Sequence, residues 1–300
     1  MKSKSATTPP RKDPDALGSR LRQVASLLRS NREAALGAVI VLAFAVTSLV
    51  VEAGILLNLQ VVPYSPIQQN VGPLLASPSL AHPFGTDSLG RDLFSRIIYA
   101  MPNDVAVGYV VVASALAVGS VLGSFAGIYG GIADELLMRF TDVFFALPVL
   151  VLAMVIALLL GSGVTNMMIV LAIVWWPPYA RLARGEALKV AHQNYIEAAR
   201  LSGLKARKLI FEHVIPNISG TLLVYATLDI GTVILTYSGL AYVGLAVRYP
   251  YPDWGLMVSD YNAYVLSAPW LPLFPGLMIS LGVIGFSLLG DGIKETMEKR

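Results

Sequence analysis

Six runs of mostly apolar residues divide this chain, at about 34–57, 105–128, 140–161, 164–183, 218–245 and 269–290. An α-helix needs roughly 17–25 apolar residues to cross ~30 Å of hydrocarbon. Within that layer every backbone N–H and C=O must find its partner inside the protein, so a spanning chain forms helices or a closed barrel. Uninterrupted apolar runs of this length suit helices, and the alternating pattern of barrel strands is absent. Composition agrees: 55% of the residues are hydrophobic and 14% are charged, against about a quarter charged in soluble domains. The expected fold is an all-α integral membrane protein with six transmembrane helices.

Lys and Arg give the orientation, because short loops rich in them stay on the cytoplasmic side. With the N-terminus inside, 19 of the 22 Lys and Arg residues fall in the inner segments and only Arg91, Arg96 and Arg248 fall outside. Both termini are then cytoplasmic. The expected organisation is a cytoplasmic tail (1–33), a first span with a long extracytoplasmic loop (34–104), the remaining transmembrane domain (105–292) and a short cytoplasmic tail (293–300). A cleaved signal peptide fits the start poorly: the basic leader is some thirty residues long, and the apolar run exceeds the usual ~7–15 residues. Within residues 16–30, Leu17, Leu21, Val24 and Leu28 recur at helical spacing among arginines. This suits a helix on the inner membrane surface or one packed on the protein itself.

Several function classes are excluded or weakened. The net charge of +3 reflects sidedness, and no basic patch with interleaved aromatics points to nucleic acid. There is no cysteine, hence no disulfide and no thiolate metal site. The three histidines (His82, His192, His213) are dispersed, His-Glu-x-x-His and Gly-x-Ser-x-Gly are absent, and no Gly-Lys dipeptide exists to end a phosphate-binding P-loop. No cofactor or metal is expected on this chain. Within the spans only Asp229 is a good candidate for an ionisable pathway group, where an unpaired charge costs ~3 kcal/mol on insertion scales.

Two further patterns bear on packing. Gly119, Gly123 and Gly127 recur every four residues in the second span, a spacing that lets helix backbones approach closely. They serve packing within the chain or a seam to a second subunit. In the outer loop, Asp87 can cap a helix carrying an apolar stripe of Leu89, Leu93, Ile97 and Met101, with Arg91, Asp92, Ser95 and Arg96 polar. That pattern places it at the membrane interface, in a structural role or as a ligand site.

The stretch NYIEAARLSGLKARKLIFEHVIPN (194–217) is polar and helix-prone between two apolar segments. It belongs to an inner loop of 184–217, long for a connector and so a candidate functional element. Two short helices meeting near Gly203 and closed by Pro216 would present Glu197, Ala198 and Ala199 as a small-sided knob. Such a knob can enter another protein's groove, with charges setting its register.

EAARLSG followed by HVIPN resembles the EAA signature of ABC importer permeases: Glu197-Ala198-Ala199, three residues, Gly203, then nine residues to an Ile-x-Leu-Pro ending. His213 stands at the Ile position, Ile215 at the Leu position and Pro216 at the Pro. HPFGTDSLGRDLFSRIIYA, GIYGGIADELLMRFTDVFFALP and PWLPLFPGLMISLGVIGFSLLGDGI are similar to the C-type permease subunit of dipeptide and oligopeptide importers. The resemblance implies a type I ABC importer fold in the cell membrane and a non-catalytic subunit, paired with a second homologous permease in a heterodimer. It further implies two cytoplasmic ATPase subunits that bind ATP and Mg and dock on the EAA loop, and an extracytoplasmic substrate-binding protein. In the fifth span Tyr237 stands where relatives often carry an acid. If that position touches the pathway, Tyr237 and Tyr242 favour sugar rings or bulky side chains. Peptide is the leading cargo, with oligosaccharide or nickel as alternatives, and a secondary transporter using Asp229 is the competing class.

Overall fold

The computed structural model describes residues 31–298; the surface helix expected at 16–30 lies outside them. Ten α-helices are described: α1 Arg32–Leu56, α2 Leu93–Tyr129, α3 Gly131–Phe145, α4 Val149–Leu160, α5 Val164–Ala191, α6 Asn194–Leu201, α7 Ala206–Leu209, α8 Ile215–Tyr242, α9 Trp254–Tyr261 and α10 Trp270–Glu298. Among the described residues no β-strand occurs, only an isolated bridge between Thr86 and Asp92.

Local chemistry sets the helix ends. Asn31 caps α1 by accepting from the Glu33 and Ala34 N–H groups, and Asp92 caps α2 by accepting from Ser95 N at 2.8 Å. At 37 residues, α2 is about 55 Å long. It ends where Gly130 and Gly131 both take positive φ, +63° and +60°, a conformation glycine adopts without steric cost.

Three of the expected spans are helices long and apolar enough to cross a membrane: α1, α2 and α10. The fifth is a continuous helical run, Ala206–Tyr242, with the same property. The third is not one helix. α3 and α4 meet at 87°, because Pro148 donates no N–H and its ring excludes the preceding residue from a continuing helix. As a bent pair they count as one further span, giving four to five by length and composition. α5 is a 28-residue helix, but Trp175, Trp176, Pro177, Pro178, Tyr179 and Arg181 dilute its apolar stretch, and it falls outside that set.

The long loop expected at 184–217 is shorter. α5 continues to Ala191 and the helical run leading into α8 begins at Ala206, with α6 between them, so both flanking helices absorb residues assigned to the loop. Pro216 does not close the segment either. It sits in the first turn of α8, directly after a π-helical turn over Ile210–Val214, which accommodates a residue with no N–H to give.

The core forms where helices approach closely. α2 and α5 run parallel, and the glycine row is the seam: a Cβ on Gly119 would lie 2.4 Å from Tyr179 Cβ, on Gly123 2.1 Å from Ala180 O, and on Gly127 2.9 Å from Ala187 Cβ. α8 and α10 cross antiparallel, with Gly231 against Val283 and Gly290 against Leu228. α1 packs on α10 with Gly37 against Leu289 N. Leu36, Val39, Leu42 and Leu49 of α1 stay exposed, the apolar outer surface that lipid requires. The segment 58–92 packs at the start of α2 while α6 packs at its far end, so these features occupy opposite ends of the molecule.

The seam predicts a contrast between two glycine substitutions. Gly123→Ala forces a methyl group into backbone and should lower stability by ~1–3 kcal/mol. Gly185→Ala, with nothing within 4 Å of the new methyl, should be neutral or stabilising. Thermal unfolding of the two purified variants beside the wild type checks this.

Candidate functional site

Three polar arrangements stand out against the apolar bundle: a short helix at one end, a buried carboxylate in the middle and a hydrogen-bonded loop at the other end.

The short helix, α6, has a single deep anchor. Ile196 is fully buried in a cluster with Ala187, Val190, Ile128 and Leu209, so α6 sits on the ends of α2, α5 and the helical run leading to α8. Glu197 and Ala198 on its other side are exposed and Ala199 is half-buried. The helix ends in a left-handed turn: Gly203 has φ +79° and open space around it, and Leu204 N donates to Ala199 O at 3.1 Å. A glycine in this position is the common way to stop a helix. As expected, two helices flank Gly203, α6 before it and α7 after it, and the free face of α6 carries Ala198 and Glu197 beside the larger Tyr195 and Leu201. Pro216 is exposed farther on, at the start of α8.

The buried carboxylate is Asp229 on α8. Trp175 and Tyr179, one turn apart on α5, share a helix face. Trp175 Nε1 donates to Asp229 Oδ2 at 2.6 Å and Tyr179 OH donates to the same oxygen at 2.9 Å. Asp229 also lines a cavity of about 360 Å³ with Phe144, Trp175, Tyr225 and Thr232. The outer wall of this cavity, from Phe145 through Leu147 to Val149, is the bend between α3 and α4. Among the described residues no cationic side chain pairs with Asp229.

Tyr237 and Tyr242 do not join this cavity's lining. Tyr237 is fully buried and donates its hydroxyl to Asp253 Oδ2 at 2.7 Å. This placement ties α8 to the start of α9, with the Tyr237 ring inside the fold. Tyr242 is 43% exposed at the end of α8. Burial pushes the Asp253 carboxyl above its ordinary range, against the hydrogen bonds from Tyr237 and Leu256 N that lower it. Asp104 of α2 is buried beside Asp253, and its Oδ2 accepts from Trp254 N at 3.3 Å. Asp104 lies just before the apolar run of 105–128, so hydropathy alone does not mark it as part of the helix. The available signal was Asp92, a cap that starts α2 twelve residues earlier than hydropathy does.

At the loop end, residues 87–101 take a structural role, and Asp87 does not cap the helix as expected. Leu93, Ile97 and Met101 are buried as expected, but Asp87, Arg91, Asp92, Ser95 and Arg96 are buried too. Asp87 Oδ1 accepts from the N–H groups of Leu89 and Arg91, both at 2.9 Å, so it closes a turn instead of capping a helix. Its Oδ2 accepts from Arg91 Nε at 2.6 Å and Tyr261 OH at 3.0 Å. Asp92 Oδ1 pairs with His82 Nδ1 at 2.8 Å, and Arg96 Nη1 donates to Pro66 O at 2.6 Å. Burial alone would lower the Arg91 guanidinium, but Asp87 and the nearby tyrosines outweigh it and raise its pKa. These contacts fold residues 58–92 onto α2 and α9.

A helical membrane protein is thus defined, carrying an exposed short helix at one end and a folded cap at the other. Residues 119–300, more than half of the chain, match the family described as binding-protein-dependent transport system inner membrane component, and the chain belongs to that family. It is 36% identical over 293 residues to the dipeptide transport system permease protein DppC of Alkalihalophilus pseudofirmus, covering 98% of this chain and 94% of that one. It is 43% identical over 226 residues to the probable D,D-dipeptide transport system permease protein DdpC of Escherichia coli, covering 75% and 76%. The glutathione transport system permease protein GsiD of Pectobacterium atrosepticum is 38% identical over 223 residues, 74% of each chain.

The ion pair at the loop end yields a testable expectation. Arg91→Ala strands the buried Asp87 carboxylate and should cost ~3–5 kcal/mol. In Asp87→Asn/Arg91→Met, with both charges removed, most of that loss should return. Thermal melting of the purified single and double variants reads the difference.

Proposed function

We propose that this chain is one of two homologous permeases forming the pathway of an ATP-driven importer for dipeptides or short oligopeptides. In this reading six spans cross the membrane, with α5 as the fourth and the bent α3–α4 pair as the third, and both termini lie in the cytoplasm. The 19-to-3 division of basic residues supports that orientation. The dipeptide and glutathione systems of the relatives support the cargo class. A substrate-binding protein delivers cargo at the loop end, and two ATPases that bind ATP and Mg engage the α6 end.

The observation that carries this reading is the geometry of α6. Ile196 fixes one side of the helix to the ends of α2 and α5, while Glu197 and Ala198 face outward and Gly203 closes it tightly. A helix seated in a partner's groove and rooted in two long helices moves them as the groove moves. Ala198 permits a close approach, the exposed Tyr195 and Leu201 add apolar contact, and Glu197 supplies a charge to fix its register. In this reading Asp229, where α5 meets α8, belongs to the pathway.

The whole importer tests the reading. Gly203→Val forces a β-branched residue into a left-handed conformation, costing about 1–2 kcal/mol in the turn alone. The variant should insert normally, co-purify with less ATPase and lose uptake. Glu197→Ala should be milder, because an exposed ion pair contributes little. Unchanged uptake in Gly203→Val would make α6 a passive connector. Proton-driven uptake by this chain alone, abolished in Asp229→Asn, would establish a secondary transporter instead.

A further inference from the structure

Asp229 is over-provided for a structural residue in one respect and under-provided in another. Both of its donors converge on Oδ2. Among the described residues no hydrogen bond reaches Oδ1 and no cation balances the charge, although the residue is only 9% exposed. A carboxylate within a span is costly to keep, and such groups face a partner or a cavity. This one lines a cavity in which the rings of Phe144, Phe145, Trp175 and Tyr225 stand among aliphatic side chains and two prolines. Its volume of about 360 Å³ lies within the ~300–1,000 Å³ of small-molecule pockets.

The chemistry of that lining selects its ligand. A carboxylate held from behind by two donors offers its second oxygen to a donor, not to an acceptor. Ring faces attract cations through their quadrupoles, most strongly where water is excluded. A primary ammonium satisfies both, with one N–H toward Oδ1 and its charge over the rings. A carboxylate or phosphate would meet like charge, and a neutral sugar would leave the Asp229 charge unbalanced.

We propose that Asp229 and the aromatic rings beside it form a recognition point for a primary ammonium group on the solute passing through this permease. The proposal rests on the importer reading above, and deepens it by assigning the cargo a protonated amine that this chain itself senses after release from the binding protein. A peptide's amino terminus and the side chain of a basic residue are two sources of that group.

Two arms test it in the assembled importer, with both permeases, the ATPases and the binding protein reconstituted in lipid. In the first, an apolar carbodiimide modifies carboxyl groups away from bulk water, and mass spectrometry follows the modification of Asp229. Butylammonium should slow that modification severalfold while butanol, of matching size, does not. Equal labelling with both probes overturns the proposal. In the second, uptake of alanyl-alanine below saturation is compared among variants. Asp229→Asn keeps an acceptor for Trp175 and Tyr179 but loses the charge, and should lower uptake about tenfold, as expected for one lost charge-assisted contact. Asp229→Glu should keep at least half of wild-type uptake, which a purely structural role for the short side chain would not allow. To separate the two sources, a dipeptide with lysine second is added. Equal tenfold losses for both peptides assign the amino terminus, and a larger loss for the lysine peptide assigns the side chain. Wild-type uptake by Asp229→Asn overturns the proposal. If the importer takes up no peptide at all, the importer reading fails at its cargo, and the carbodiimide arm still reads the ammonium site by itself.

Discussion

The buried carboxylate and the short helix of this molecule both depend on the seam between α2 and α5. Lipid tails are as apolar as leucine, so burial alone does not drive one span against another, and close packing must hold them. Gly119, Gly123 and Gly127 let the α2 backbone lie against that of α5 over two full turns. This fixes the face of α5 that carries Trp175 and Tyr179, and hence the point at which Asp229 of α8 is held. It also brings the far ends of α2 and α5 together, where Ile196 seats α6. A Cβ at the seam would displace the donors of Asp229 and the platform of the short helix at once.

The two ends of the molecule use opposite strategies. At the loop end, polar groups are buried and bonded to one another: Arg91 pairs with Asp87, His82 hydrogen-bonds Asp92, and Arg96 donates to the Pro66 carbonyl. Removing one partner there leaves a stranded charge, so the cap is held in a single arrangement. At the other end polar residues stay outside, and the only deep anchor of α6 is one isoleucine. A rigid cap and a lightly rooted exposed helix suit a protein that receives on one side and is driven from the other.

The sequence made much of this legible, and its failures have physical causes. Long apolar runs, the glycine row and the glycine that ends α6 are local signals, and each lies in the element where it was expected. Hydropathy averages over a window, so it passed over Pro148, whose missing N–H breaks the third run into two helices at 87°. It also ended α5 where charges begin, although helix continues to Ala191 on residues that no longer need lipid. The polar residues of 87–96 read as a solvated face because their partners Tyr249, Pro250 and Tyr261 lie over 150 positions away. Long-range pairing of that kind has no local signature. Asp229 was visible as a charge in an apolar run, whereas the Trp175 and Tyr179 that hold it were not.

The central claim is that the free face of α6 sits in a groove of an ATPase and carries its motion into the bundle. The chain has no cysteine of its own, so Ala198→Cys supplies a unique thiol on that face. In the assembled importer it should be shielded from a small maleimide, form a disulfide with a cysteine placed in the ATPase groove, and stop uptake until a reductant is added. An Ala198→Cys thiol that reacts with the maleimide as freely in the complex as in the isolated chain would contradict the account.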